Sequence, residues 1–326
     1  MKSRLALIIT VAVGGVSAPP LGAEAADYPN RIVRFILPQP GGSGTDVVLR
    51  AITAKLTETW GQQVIVDNRP GANGIIGVQA FSKAKPDGYT LLYGFTSLLT
   101  INPSVYKDLP YNTLRDFEAV TQTVTNTMTL VVNPHLPARS VKELVALGRA
   151  RPGELLYGSF GVGNQTHLTA ELFRLESGLN MLHVPYKGST PAVTEVVGGQ
   201  VVMLFAPSAS VTPHIKSGRL RLLATCGPKR STLFPDTPTM VETGFPRVIS
   251  TGWGGIVAPG GTPPDIVKKI QQDIAHALAD PQIRDRLVSI GADPQGTTPE
   301  EFAGWLRAET AKWEKVVKGA GLYHSN

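Results

Sequence analysis

The sequence contains a single cysteine, Cys226, among its 326 residues. An internal disulfide is therefore impossible, which excludes the small scaffolds that disulfides hold together. Cys226 follows the apolar run 220–225, so we expect a buried thiol that behaves as a small hydrophobic side chain, with a reactive thiol as the alternative. The stability of this chain has to come from a large hydrophobic core.

Charged residues are scarce at 17%, whereas hydrophobic residues reach 42%. This balance is typical of a folded globular protein and excludes a disordered one. The formal net charge is +6, but no stripe or cluster of Lys and Arg accompanies it. The charge pattern therefore excludes nucleic acid as a partner. A mild positive excess favours the attraction of anionic solutes.

Long apolar runs are absent after the N-terminal region. Lys2 and Arg4 precede the apolar run 5–16, and small residues follow at 23–25. This pattern predicts a secretory signal peptide over 1–25, and hence a location in the bacterial periplasm. The run is shorter than the roughly 20 residues that span a bilayer, although an uncleaved anchor is the alternative. Cleavage removes two basic residues and one acidic residue and leaves a net charge of +5.

Strand-like and helix-like segments alternate along the rest of the chain. The predicted strands are 32–37, 64–66, 90–93, 129–132, 155–159, 181–184, 201–205, 220–225 and 255–258. The predicted helices are 45–60, 75–83, 141–150, 166–177, 191–197, 263–279, 281–289 and 299–318. This order predicts an α/β protein in which mostly parallel sheets are flanked by helices.

The chain also divides into two units, and after residue 250 it returns to the first of them. We predict a two-lobed protein, with the ligand in the cleft between the lobes. Lobe 1 comprises 26–125 and 251–326, and lobe 2 comprises 126–250. Two strand-like crossings, near 121–130 and 247–251, join the lobes.

Each unit contains a strand, a glycine-rich loop and a helix in succession. Glycines let the backbone approach a ligand closely, and the helix that follows offers unpaired N–H groups and the positive end of its dipole. Such a junction binds anions without a formal cation, although one alone can be merely a tight turn. Two facing junctions fit a solute with two separated carboxylates. The candidate ligand-binding residues in these junctions are Gln39, Gly41, Gly42, Ser43, Thr45, Asp46, Ser159, Phe160, Gly161, Gln165, Thr166 and His167.

Enzyme motifs are incomplete. Neither glycine loop completes a dinucleotide fingerprint, and no phosphate loop of the G-x-x-x-x-G-K type is present. Ser159 lacks the first glycine of a nucleophile elbow, and the histidines lack metal-ligand spacing. We therefore predict no catalytic residue, no cofactor and no metal. We expect His183 to be a structural hydrogen-bonding residue, whereas His167 either faces the cleft or packs its own loop.

Several motifs together resemble the substrate-binding proteins of tripartite tricarboxylate transporters, the Bug-type receptors. They are PGGSGTD at 40–46, VDNRPGANG at 66–74, PDGYTLL at 86–92, GVGNQTHL at 161–168, HVPYKG at 183–188, GGQV at 198–201, PTMVETG at 238–244 and the segment 286–291. The resemblance implies a two-lobed, monomeric periplasmic receptor of the type II periplasmic-binding class. It would close on a small carboxylate, with membrane transporter subunits as its partner.

The resemblance further implies how the ligand is held. The 41–46 loop would bind one carboxylate through backbone groups and waters, with Phe95, Thr96 and Ser97 nearby, and the 159–167 loop would bind the distal end. One departure concerns Ala206, where many relatives carry an aspartate, and Val202 likewise replaces an acid. We therefore expect a dicarboxylate in preference to an amino acid, with aromatic dicarboxylates such as terephthalate or phthalate among the candidates. The alternatives are a receptor for a membrane sensor kinase and a hydrolase on a similar scaffold.

Overall fold

The computed structural model describes residues 28–325, so the predicted signal peptide at 1–25 lies outside the described residues. The strands of this part of the chain are β1 (Val33–Leu37), β2 (Val64–Asn68), β3 (Thr90–Phe95), β4 (Phe117–Val132), β5 (Leu155–Ser159), β6 (Met181–Pro185), β7 (Met203–Pro207), β8 (Arg221–Thr225), β9 (Thr251–Pro259) and β10 (Ala292–Pro294). The helices are α1 (Gly44–Trp60), α2 (Ile75–Phe81), α3 (Asn102–Val105), α4 (Thr113–Asp116), α5 (Val141–Ala150), α6 (Gln165–Ser177), α7 (Ser189–Val197), α8 (Ser208–Lys216), α9 (Pro264–Ala279), α10 (Pro281–Ser289) and α11 (Pro299–Gly319).

The ends of the helices follow local signals in the sequence. Ser43 caps α1 by accepting a hydrogen bond from the backbone N–H of Asp46, and Gly61 ends the helix in a left-handed conformation with φ 59°. Thr298 and Glu301 form the predicted capping box at the start of α11. These caps satisfy the N–H groups that a helix terminus otherwise leaves unpaired. Such local chemistry explains why the predicted helices are confirmed within a few residues.

The strands form a mixed sheet in the order β2-β1-β3-β9-β4-β7-β5-β6, and β8 and β10 also pair with β4. Strand β1 is parallel to β2 and β3, and β5 is parallel to β6 and β7, as predicted. The centre differs from the prediction, because β9 is antiparallel to both β3 and β4, and β4 is antiparallel to β7, β8 and β10. Strand β4 carries the chain out of the first half and β9 brings it back, so these two neighbouring strands run in opposite directions.

Strand β4 is four times as long as the predicted strand 129–132, and it belongs to both halves of the sheet. Its first part pairs with β9 and β10, and its last residues pair with β7 and β8. The Asn126–Gly252 and Thr127–Thr251 pairs lie where the two halves meet. Two antiparallel strands, β4 and β9, therefore connect the half that contains β1 to β3 with the half that contains β5 to β8.

Each half has its own hydrophobic core. Phe35 and Ile52 are buried between the sheet and α1 in the first half, and Phe173 and Phe205 pack together in the second. Cys226 lies in the second core with no exposed surface, as predicted, and burial raises the pKa of its thiol. Within residues 28–325, no helix combines the length and apolar character that crossing a bilayer requires.

Candidate ligand-binding site

A cavity lies between the two halves of the molecule, where both glycine loops end. Its wall comprises Gln39, Gly44, Thr45, Val48, Tyr93, Phe95, Thr96, Ser97, Val124, Asn126, Phe160, Asn164, Gln165, Thr166, Ser189, Pro207, Ala209, Ser210, Gly252, Trp253 and Gly254. The loops that follow β1, β3, β5 and β7 all contribute, as expected at the carboxyl ends of strands. The cavity volume is about 60 Å³. Because a water needs roughly 10–15 Å³ on this measure, the space holds about four to six waters or a small ligand of similar bulk.

Four helices begin at this cavity. The first residues of α1, α6, α7 and α8 line it, through Thr45, Gln165, Ser189 and Ser210 among others. No Asp, Glu, Lys, Arg or His of the described part of the chain lines the cavity. The helix N-termini therefore supply the partial positive charge and the N–H donors that an anion in this cavity would meet. This geometry is that of an anion site without a formal cation.

Helices α7 and α8 begin without a side-chain cap among the residues that the structure describes. The residues that precede them are Gly188 and Pro207, which have no side-chain acceptor. By contrast, Asn164 caps α6 by accepting from the N–H of Thr166. The first N–H groups of α7 and α8 are therefore available to an acceptor in the cavity.

Hydrogen bonds to the Asp46 carboxylate hold the first glycine loop on the side away from the cavity. Asp46 accepts from Gly42 N at 3.0 Å, from Arg50 Nε at 2.8 Å and from Asn68 Nδ2 at 3.0 Å. Burial raises the pKa of Asp46, but the bonds from Arg50, Gly42 and Asn68 outweigh burial and hold the pKa below its ordinary value. Asp46 is therefore an anionic anchor for the loop. Of the residues predicted here, Gln39 and Thr45 line the cavity, whereas Gly41, Gly42, Ser43 and Asp46 support the loop from outside its wall.

The loop after β3 belongs to the same half as the first glycine loop and lies at the opposite side of the cavity. Phe95, Thr96 and Ser97 all line the cavity. Ser97 begins a wide π-helical turn, Ser97–Ile101, whose first residue lines the cavity. Such turns are frequent at functional sites because they redirect a short stretch of backbone. The Ser97 hydroxyl accepts a hydrogen bond of 2.9 Å from the backbone N–H of Gln165, which joins the two halves across the cavity.

The second glycine loop places Phe160, Gln165 and Thr166 in the cavity wall, but not Ser159 or Gly161. Gly161 adopts φ 139°, a conformation that favours glycine, and lines a groove on the outer side of Phe160. The same groove contains the exposed side chain of Lys187. The groove and the cavity share the walls Gln39 and Phe160.

His167 packs its own loop and does not line the cavity. Its Nδ1 accepts a hydrogen bond of 3.0 Å from Gly163 N, and its ring stacks on His183 with centroids 3.9 Å apart. Burial lowers the pKa of both histidines, and the neighbouring His167 lowers that of His183 further, to about 4. Neutral imidazoles therefore form the support behind the second glycine loop.

His183 is the structural hydrogen-bonding residue that was predicted, since its Nε2 lies 2.6 Å from Ser159 Oγ. This Ser–His pair resembles part of a hydrolase site. However, Ser159 has no exposed surface, and its hydroxyl also bonds to the backbone of Gly161. A nucleophile has to reach its substrate, so this pair fixes the loop and is not aimed at the cavity.

The stacked histidines predict a pH dependence of stability. Between pH 6.5 and about 4, His183 takes a proton in the unfolded chain but not in the folded one. The unfolded state therefore binds more protons in this range, so the free energy of unfolding falls as the pH is lowered, by on the order of 2–3 kcal/mol. We expect His183→Gln to remove this contribution. Urea unfolding of both proteins at pH 7 and pH 4 measures it, and parallel pH profiles would contradict the prediction.

Ala206 lies outside the cavity wall, although its neighbour Pro207 lines it. Ala206 has no exposed surface and packs among apolar side chains, and its carbonyl accepts a hydrogen bond of 2.9 Å from Thr129 Oγ1. The absence of an acid at this position therefore changes the layer behind the cavity. It leaves an apolar cluster where an aspartate would bury a charge.

Sequence reasoning missed the wall formed by the crossing strands. Asn126 on β4 and Gly252 and Trp253 on β9 line the cavity, as do Ser189 and Ser210 at the starts of α7 and α8. These residues carry no local motif. The alternation expected of a strand gives no sign that two such strands cross beneath a ligand site.

Comparisons with known proteins agree with this geometry. A sequence model described as "Tripartite tricarboxylate transporter family receptor" matches residues 48–322. Protein BugT of Bordetella pertussis is 38% identical over 323 residues, which cover 98% of each chain. An R. palustris protein solved with adipate is 35% identical with a TM-score of 0.88, over 90% of this chain and 99% of that one. MatC from Rhodopseudomonas palustris, solved with bound malate, is 28% identical with a TM-score of 0.84, over 89% and 100%.

The match to the family model covers most of the chain and includes cavity residues of both halves, while Gln39, Gly44 and Thr45 precede it. The family consists of periplasmic receptors that work with tripartite transporters, and its solved members have the two-lobed fold. On this evidence the chain belongs to the tripartite tricarboxylate transporter receptor family.

Proposed function

We propose that this protein captures a small dicarboxylate in its cavity and delivers it to a tripartite membrane transporter. The observation that carries the proposal is the convergence of four helix N-termini on a cavity whose described wall has no charged side chain. A carboxylate is the common anion that fits such N–H donors. Relatives solved with adipate and with malate support the choice of a dicarboxylate.

The two ends of the ligand would lie at different places where the halves of the protein meet. One carboxylate would lie where the start of α1, beside Thr45, meets the start of α8, and the other where the start of α6 meets Ser97. We propose lobes 26–125 with 251–326 and 126–250, with β4 and β9 as the hinge. The ligand would first bind one lobe and then stabilise the closed form, since it contacts both lobes only there.

The approach of the ligand would use the groove outside Phe160. Lys187 is exposed in this groove, which adjoins the cavity at Gln39 and Phe160. A cation there attracts an anion from solution without having to be desolvated in the bound state. The mild positive charge of the chain acts in the same direction.

A dicarboxylate fits the cavity better than an amino acid does. An ammonium group needs a buried acceptor with negative charge, and the described wall contains no Asp or Glu. An aromatic dicarboxylate is a second candidate, because Tyr93, Phe95 and Phe160 supply apolar surface for a ring.

Deleting the gene would separate the transport role from a sensor-kinase role. If the protein serves transport, uptake of the solute should be lost while signalling is unchanged.

A thermal-shift screen tests the proposed ligand class. We expect succinate, glutarate, adipate or terephthalate to raise the melting temperature by about 5 °C at 100 times its Kd, and aspartate and glutamate to have little effect. Stabilisation by the amino acids alone would contradict the proposal. Mass spectrometry of small molecules that co-purify with the protein would identify the ligand directly.

A further inference from the structure

The motif at 66–74 ends in a turn that places Asn73 in the groove outside Phe160. Ala72 and Asn73 have φ 46° and φ 50°, a left-handed conformation that side chains other than Asn and Asp rarely adopt. Such a conformation persists where surrounding contacts compensate for its cost. Contacts of Asn73 with the other half of the molecule supply this compensation.

The side-chain amide of Asn73 joins the two halves. Its Nδ2 donates to the backbone carbonyl of Val162, in the loop after β5, and to the Tyr106 hydroxyl at 3.0 Å. Because a carbonyl only accepts, the orientation of the amide is fixed, and both of its N–H groups are used. We call the hydrogen bond from Asn73 to Val162 the cleft latch.

The second glycine loop has the shape to receive side chains of the first half. A Cβ on Gly161 would collide with Asn73 Oδ1, and a Cβ on Gly163 would lie 2.6 Å from the Val105 side chain. Both glycines have a positive φ, 139° and 69°. Val105 also shares a buried apolar cluster with Leu168 of α6. Gly161 and Gly163 therefore serve the contact between the halves, and neither lines the cavity.

Hydrogen bonds within the first half connect Asn73 to the cavity. The Asn73 carbonyl accepts a bond of 3.2 Å from Asn102 Nδ2, which also donates to the Tyr111 hydroxyl at 3.1 Å. Tyr111 donates to the carbonyl of Leu98 at 2.6 Å, in the π-helical turn that begins at Ser97. Because Ser97 lines the cavity, the cleft latch and the cavity wall are held by one network.

The cleft latch is of a kind that opens and closes readily. Asn73 and Val162 are both half-buried in the groove, so water reaches the amide and the carbonyl once the halves separate. Exchanging a protein hydrogen bond for bonds to water changes an equilibrium constant by a factor of about 2 to 12. A bond of this size favours closure but does not prevent opening.

We propose that Asn73 is a positioning residue that sets ligand affinity without contacting the ligand, because the cleft latch stabilises only the closed form. This inference rests on the proposed function, in which the halves close on a bound dicarboxylate. Asn73 lies outside the cavity wall. A bond that forms after capture slows the release of the ligand and leaves the rate of capture unchanged. It acts by the same factor on every ligand.

Calorimetry and stopped-flow kinetics of Asn73→Gly test the inference, with succinate, glutarate, adipate and terephthalate as probes. Glycine accepts the left-handed φ of this position, so the substitution removes the amide without straining the turn. We expect each dicarboxylate that binds to lose about fivefold in affinity through faster release, while association changes by less than about twofold. Tyr106→Phe removes the second partner of the amide and should weaken binding in the same direction, by a smaller factor.

The matched control is Ala72→Gly. Ala72 precedes Asn73 and shares its left-handed conformation, but its side chain takes no part in the cleft latch. Binding to this control should stay within about twofold of the unmodified protein, which is below the effect of losing one hydrogen bond. The melting temperature of Asn73→Gly without ligand should not fall, whereas a merely structural role of Asn73 would lower it.

Three results would overturn the inference and leave the proposed function standing. They are unchanged release from Asn73→Gly, an equal loss of affinity in Ala72→Gly, and losses that differ from one dicarboxylate to the next, which would mean that Asn73 contacts the ligand. If the unmodified protein binds none of the four probes, the proposed function is overturned and the inference falls with it.

Discussion

Replacing Gly44 by alanine should abolish ligand binding while the protein stays folded. Gly44 begins α1 in the first half and lies against the start of α8 in the second. A Cβ at this position would meet the backbone at Ala209 C and Ser210 N, both at 3.1 Å, and Ser210 Oγ at 2.9 Å. Backbone atoms cannot rotate away, so the two helix starts would have to separate and the cavity would open.

We expect Gly44→Ala to weaken binding at least 100-fold, which corresponds to about 3 kcal/mol. The free energy of unfolding without ligand should change by less than about 1 kcal/mol, because alanine favours a helix over glycine. Calorimetry and urea unfolding measure the two quantities. Gly304→Ala is the matched control, since this helical glycine has only a distant Arg307 side-chain atom nearby, at 4.0 Å. Unchanged affinity in Gly44→Ala would show that binding does not require the close approach of α1 and α8.

Replacing Asn164 by aspartate should also abolish binding, because the substitution adds a negative charge and hardly changes the shape of the side chain. Asn164 lines the cavity and caps α6, and aspartate is an equally good cap with almost the same shape. The new carboxylate would stand beside the carboxylate of the ligand. At an effective dielectric constant of about 20, two such charges 4 Å apart repel by about 4 kcal/mol.

The expected loss of affinity in Asn164→Asp is therefore at least 100-fold, while the melting temperature without ligand stays constant or rises, because a negative charge favours a helix N-terminus. Asn112→Asp is the matched control. Asn112 caps α4 by accepting from the N–H groups of Leu114 and Arg115, and it lies outside the cavity wall. Binding to the control should match the unmodified protein. Equal affinities of Asn164→Asp and its control would show that no anion lies at the start of α6.

Part of the site could be predicted because its chemistry is local. The glycine loops that precede α1 and α6 have recognisable sequences, and they place Thr45, Gln165 and Thr166 in the cavity wall. The same loops also contain predicted residues that the structure places outside the cavity wall. Asp46 and His167 are as close to the loops in sequence, but their side chains turn to Arg50 and to His183. Which way a side chain turns depends on its packing partners, which are distant in the chain.

The two strands that cross between the halves, β4 and β9, were also not predictable from local sequence. The pattern of alternating elements predicts parallel sheets, because most strands are separated by a helix. It gives no sign that β4 continues from one half into the other, or that β9 returns antiparallel to it. That pairing brings Asn126 beside Gly252 and Trp253, and so builds the floor of the cavity from segments more than 120 residues apart.

By itself, the sequence determined the element order, the helix caps, the glycine loops and the membership in the receptor family, because each depends on neighbouring residues or on motifs in a fixed order. The tertiary structure decided which of the predicted residues line the cavity. It also decided that α7 and α8 add their uncapped starts to the site, and that the amide oxygens of Asn126 and Gln165 meet beside Gly252. These features arise only when two halves of one sheet close on each other, and no local stretch of the chain contains that contact.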